Sequence, residues 1–162
     1  MKAFKYIYEH HMDDADLFMK ADEDTSVNLE NLRYFLSGQN KNQPVYFCQH
    51  FKALVQQGVF SSGACYQLSK ESPRRFGTQR SKASVCRQDG GAEDVEMEEC
   101  MENLGAKVGN STDKLGRSRF HFFDPETHLK GNYGDWYYKY DTNGTKKEPC
   151  HCNSSLQIFL LI

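Results

Sequence analysis

The sequence predicts a mixed α/β domain built in layers. Three observations lead there: segments of helical period alternate with short apolar runs, no internal repeat is present, and 162 residues suffice for one core. A first helix is expected over about Phe4–Met12, where Phe4, Ile7, Tyr8 and His11 share one face. The acidic turn Asp13–Asp16 leads into a strand at Leu17, Phe18 and Met19. Val27, Leu32, Phe35 and Leu36 approximate helical spacing over Ser26–Ser37, with Thr25 or Ser26 available as N-cap. "PVYFCQHF" reads as a strand, and "VFSSGACYQLSKESPRRF" as a small-residue turn, a strand and a helix from about Ser69. Pro73 falls close enough to that helix start to be tolerated. Residues 77–91 are polar and Gly-rich, a loop. "AEDVEMEECMENLGA" is a helix with Val95, Met101 and Leu104 along it, Glu93 and Asp94 in its first turn and Gly105 suited to the C-cap. The remainder is aromatic ("RFHFFDPETHL", "YGDWYYKY") and ends in "LQIFLLI".

Composition narrows the partners. The net charge is −2 and no block of Lys or Arg could track a phosphate backbone, so nucleic acid is not expected. No apolar run approaches the roughly 20 residues of a membrane span, and "MKAFKYIYEHH" reads as an amphipathic helix rather than a signal peptide. The mean hydropathy of −0.75 describes a polar, soluble chain. Six cysteines point elsewhere: Cys48, Cys65, Cys86, Cys100, Cys150 and Cys152 suit disulfides, a zinc site or buried thiols. Zinc would rest on Cys150-His151-Cys152, a spacing tighter than zinc pairs normally use. Sequons at Asn110, Asn143 and Asn153 lean toward an oxidising lumen.

The stretch Asp22-Glu23-Asp24 admits two readings. Carboxylates before a helix oppose the positive end of its dipole, each for about 0.3–1 kcal/mol. Alternatively, in an extended segment Asp22 and Asp24 share a face and together hold a hard divalent cation that grips a phosphate-bearing substrate.

Several segments together then carry a resemblance. "MKAFKYIYEHHMDDADLFMKADEDT", "ENLRYFLS", "PVYFCQHFKALVQQGVFSSGACYQLSKE", "AEDVEMEECME", "RFHFFDPETHLKG" and "DWYYKY" resemble, in order and spacing, the core 1 β1,3-galactosyltransferase family. The likeness runs over nearly the whole chain. It implies a GT-A, Rossmann-like glycosyltransferase domain and transfer of galactose from a UDP-galactose donor to the 3-hydroxyl of a GalNAc-α-Ser/Thr glycoprotein acceptor. Inversion at the anomeric carbon, Mn2+ as cofactor, a type II membrane location in the Golgi lumen and compatibility with a homo-oligomer are implied with it. By this resemblance Asp22 and Asp24 ligate the metal, and His121 is a metal ligand or a packed aromatic. Asp94 is the general base and Glu93 its partner at the substrate. Gly63 and Ala64 belong to the small-residue turn beside the substrate, and Trp136, Tyr137 and Tyr138 lie where the family stacks or packs aromatics, with core packing favoured for at least two. Cys86 and Cys100 match a family cysteine pair, and His128 is expected at the surface.

Departures from the pattern accompany the match. The resemblance places the chain, 1–162, as the C-terminal portion of a GT-A domain, without the anchor, the stem and the first nucleotide-binding strands. Ser62 and Cys65 replace family glycines, Gln67 an apolar strand residue, and Glu98 another glycine, which adds charge to an acidic helix face. Phe159 and Leu160 stand where the family carries a histidine. These departures predict weak galactosyl transfer by this chain alone. A catalytically impaired paralogue or fragment acting as a binding or chaperone-like partner is the alternative.

Overall fold

A computed structural model describes residues 2–23, 25–52, 60–61, 65–88, 90–91 and 93–142. In chain order the elements are α1 (Lys2–His10), β1 (Leu17–Ala21), α2 (Leu29–Ser37), β2 (Val45–Phe47), β3 (His50–Phe51), β4 (Phe60–Ser61), β5 (Cys65–Ser69), α3 (Glu71–Gln79), α4 (Glu93–Asn103), β6 (Lys107–Val108), α5 (Pro125–Lys130) and α6 (Asp135–Tyr140). This is the expected mixed α/β architecture. Four strands form one sheet in the order β1-β5-β2-β6, and β3 and β4 form a separate pair. Strand β5 runs antiparallel to both neighbours, while β6 lies parallel to β2.

Alternation along β2 sorts the core into two layers. Tyr46 joins Phe4, Leu68, Phe76, Met97 and Met101, contributed by α1, β5, α3 and α4. Its neighbour Phe47 joins Leu32 and Phe35 of α2 and Phe120 on the other side. The sheet therefore carries helices on both faces. Burying each large apolar side chain stabilises by about 1.5–3 kcal/mol, so these two clusters outweigh every surface contact.

Several element boundaries differ from the sequence reading. "PVYFCQHF" is two strands, because the chain leaves the main sheet after Phe47 and His50–Phe51 pairs with β4 instead. Helix α2 starts later, capped by Asn28, whose Oδ1 accepts from the Asn31 N–H at 3.0 Å. Thr25 is diverted from that duty: its Oγ1 accepts from the Asp22 N–H at 3.0 Å, and its own N–H donates to the Asp22 carbonyl at 3.1 Å. Helix α3 continues to Gln79, three residues into the expected loop. Glu98 does not extend an exposed acidic face. It is 4% exposed and lies beside Tyr46, whose phenol burial, and then the charge of Glu98, push above its ordinary pKa. Gln67 is fully buried in β5, between the partner strands β1 and β2.

Two contacts lock the helical layer over β5. Gly77 in α3 receives the ring of Tyr8 from α1: a Cβ there would meet Tyr8 Cγ at 2.0 Å. The expected disulfide between Cys86 and Cys100 is present and ties the segment after α3 to the middle of α4. Cys48 is buried and lies outside the disulfide. Asp24, Gly63 and Ala64 lie outside the described residues, as does everything from residue 143 onward, including Cys150, Cys152, Phe159 and Leu160.

Substituting Gly77→Ala is expected to destabilise by about 1–3 kcal/mol through overpacking, more than the roughly 1 kcal/mol that alanine returns in helix propensity. Thermal denaturation checks this, and a Tyr8→Ala background should convert the loss into a gain. Removing the disulfide by Cys86→Ser should cost about 2–4 kcal/mol. Denaturant titration with and without reductant should show the wild type sensitive to reductant and the variant indifferent.

Candidate active site

The site begins with one antiparallel pairing. Strands β1 and β5 lie in register with Lys20 opposite Tyr66 and Ala21 opposite Cys65. Residues directly opposite in an antiparallel pair project to the same face, here the face covered by α4. The Tyr66 hydroxyl donates to Glu93 Oε1 at 2.8 Å. Lys20 Nζ lies 3.7 Å from Glu93 Oε2 and 2.7 Å from Asp22 Oδ1, and donates to Asp22 Oδ2 at 2.8 Å. The ammonium also sits 5.9 Å over the Tyr66 ring. Burial acts to lower the Lys20 pKa, but hydrogen bonding to Asp22 and the charge of Glu93 outweigh it and hold the pKa above its ordinary value.

The acidic strand end and the first turn of α4 thus converge through a lysine and a tyrosine that sequence reasoning did not single out. A usable signal existed for Lys20: it sits two residues before Asp22, the spacing that puts two strand residues on one face. Tyr66 carried no such signal, because only the strand register reveals its partner. Beyond Ala21 the strand ends. Two hydrogen bonds join Asp22 to Thr25 just past the strand end, while Asp24 lies outside the described residues. Asp94 follows Glu93 in the first turn of α4.

A cavity of about 360 Å³ opens beside Glu93, lined also by Lys2, Arg80, Arg87, Gly91 and Glu96. Arg87 Nη1 pairs with the buried Glu96 at 2.9 Å. Basic and acidic side chains both line this opening, a composition suited to a polar, charged ligand.

The aromatic half of the chain forms its own centre. His121 is 6% exposed, and its ring meets that of His128 edge-on at 4.5 Å. Among the described residues no three His, Cys, Asp or Glu side chains converge to hold a metal ion. His128 overturns its expected surface position and is 3% exposed. The cause is local: Asp124 caps α5 by accepting from the Thr127 N–H at 2.9 Å, and the helix so started turns His128 inward. Its Nε2 accepts from the Phe123 N–H at 3.1 Å, so Nδ1 carries the proton facing the Tyr133 hydroxyl at 2.8 Å.

Of Trp136, Tyr137 and Tyr138, Tyr137 is core at 2% exposure, and Tyr138 is half-buried with its hydroxyl donating to the Gly131 carbonyl. Trp136 alone presents much surface, 44% exposed, while its ring rests on Phe122 and Phe123 at 5.5 and 5.8 Å. An exposed indole held by neighbouring rings offers a rigid, flat apolar face.

No protein-family profile matches the chain. A curated relative, glycoprotein-N-acetylgalactosamine 3-beta-galactosyltransferase 1 of Xenopus laevis, is 36% identical over 162 residues, covering 98% of this chain and 44% of the relative. The chain therefore spans less than half the length of the curated relative it matches.

The buried imidazoles set an acid limit. Burial, and next the charge of His128, depress His121 to about 3, while burial depresses His128 to about 4 against the pull of Asp124. Both are neutral when folded, so unfolding takes up protons below their ordinary value of 6.5. Their contribution to stability is complete above pH 6.5 and falls away as the pH drops through about 4. Thermal melts between those limits should show a declining Tm, and His121→Phe should flatten the decline. An equal slope in the variant would remove these residues as its source.

Proposed function

Since the chain is homologous to the glycoprotein-N-acetylgalactosamine 3-beta-galactosyltransferases, we propose that it forms part of a GT-A domain. Its reaction transfers galactose from UDP-galactose to the 3-hydroxyl of GalNAc-α-Ser/Thr on glycoproteins, in the Golgi lumen, as part of a type II membrane protein. The observation that supports this best is the convergence of Asp22 and Glu93 on Lys20. It joins the two acidic motifs that the reaction needs, one at the donor diphosphate and one at the acceptor.

In this reading Asp94 takes the proton from the acceptor hydroxyl as that oxygen attacks the anomeric carbon of galactose. The bond from that carbon to the diphosphate breaks on the opposite face, and UDP leaves with the electron pair, inverting the configuration. Glu93, clasped by Tyr66 and Lys20, fixes the first turn of α4 and so the position from which Asp94 acts. Misplacement by about 1 Å costs on the order of 100-fold in such a reaction, which gives the clasp its purpose. Trp136 offers its face to the acceptor sugar, while the burial of Tyr137 gives it the supporting role.

The donor chemistry at Asp22 fits Mn2+. Its carboxylate is 45% exposed and already binds a cation, the Lys20 ammonium, through both oxygens. Asp22 and Asp24 would hold the ion, which when bound supplies positive charge against the departing diphosphate. The packing of His121 against His128 favours leaving it out of that ligand set. The grip of Lys20 on Asp22 also favours a second reading, a catalytically impaired paralogue that binds partners without turnover.

An assay with UDP-galactose, Mn2+ and a GalNAc-α-Thr peptide separates the two. Slow transfer is expected, falling by about 100-fold or more in Asp94→Asn. Calorimetry should show UDP binding that requires Mn2+ and is lost in Asp22→Ala. Turnover unchanged in Asp94→Asn would overturn the base assignment, and peptide binding without any transfer would establish the second reading.

A further inference from the structure

We propose that Asn110 is an N-linked glycosylation site, accepting an oligosaccharide from a lipid pyrophosphate carrier. The sequon Asn110-Ser111-Thr112 is on the described surface, and the Asn110 side chain is exposed. Thr112 supplies both contacts to the amide: its N–H and its Oγ1–H donate to Asn110 Oδ1 at 2.9 and 2.7 Å. With Oδ1 turned toward Thr112, the Nδ2 amine is the group directed away from the turn. That amine is the nucleophile the modification needs, and the hydroxyl two residues on is the feature a sequon requires.

The chemistry balances without any reagent from the protein itself. The Nδ2 lone pair attacks the anomeric carbon of the carried oligosaccharide, and the bond from that carbon to the pyrophosphate oxygen breaks. Its electron pair leaves with the lipid pyrophosphate, and one Nδ2 proton passes to a base of the transferring enzyme.

The folded surroundings tolerate the product. Asn110 stands on the rim of an open groove of about 660 Å³, shared with Tyr34, Gly38 and Lys107, so a sugar there meets space rather than packed side chains. Its neighbour Ser111 is 3% exposed, its hydroxyl donating to the Gly109 carbonyl at 3.3 Å, and the Ser111 carbonyl accepts from the Arg119 N–H at 2.9 Å. The backbone is thereby anchored while the acceptor side chain stays outside. The Cys86–Cys100 disulfide places the chain in an oxidising compartment, where such modification occurs.

The test directs the chain into the secretory lumen of eukaryotic cells behind a cleavable signal. Digestion with peptide N-glycosidase in heavy-oxygen water, followed by peptide mass spectrometry, should mark residue 110 as labelled aspartate. Asn110→Gln and Thr112→Ala should each remove one glycan step in gel mobility, while Thr112→Ser should retain it. Sites at Asn143 and Asn153 are read on separate peptides of the same sample. Because the glycan attaches before folding is complete, a variant that fails to fold still reports its occupancy. Protease protection of the chain confirms lumenal entry independently. A protected chain whose Asn110 peptide is wholly unmodified would overturn the proposal.

Discussion

The antiparallel register of β1 on β5 is the constraint from which the candidate site follows. It puts Lys20 opposite Tyr66, and from that single pairing both side chains reach Glu93 on a helix that starts far along the chain. A slip of one residue would turn Lys20 to the opposite face of the sheet. The register is held by burial rather than by charge. Leu68, opposite Phe18, and Tyr66 belong to the core cluster beneath α3 and α4. The ion pairs themselves contribute little, since exposed pairs are worth about 0–1 kcal/mol each. Core packing stabilises, and the clasp positions.

Helix α4 depends on the same division of labour. Its hydrophobic pattern is weak, with six acidic residues among eleven. Met97, Cys100 and Met101 nevertheless bury it against the sheet, and the disulfide from Cys100 ties it to Cys86. Glu96, buried, is paired with Arg87 from that segment. An acidic helix is thereby held with its first turn, carrying Glu93 and Asp94, at the mouth of a charged cavity. The second centre, around His128, achieves order by a different route: rings stacked on rings, with one imidazole hydrogen-bonded at both nitrogens.

What could be read in advance was whatever a short stretch of chain decides. Helix α5 carried such a local signal that the sequence reading left unused: Asp124 as cap, Pro125 at the first position and Gly131 at positive φ act within a few residues of one another. The first turn of α4 and the alternation of helices with strands were legible for the same reason. Thr25 shows the limit of that reading. Its hydroxyl suits a helix cap, yet the Asp22 N–H lies as near in sequence and takes it, leaving the cap to Asn28.

By itself, then, the sequence determined the α/β class, the ordered motifs shared with the galactosyltransferases, the cysteine pair and the acidic groups available for chemistry. Periodicity, capping and spacing are local properties, and the motifs are carried residue by residue. Tertiary structure alone decided which groups meet: Lys20 and Tyr66 at Glu93, Tyr8 over Gly77, Glu98 beside Tyr46. Each of these contacts joins segments whose approach depends on strand order and on which face a side chain takes. Those are set by the burial of the whole core, and no short window of sequence contains them.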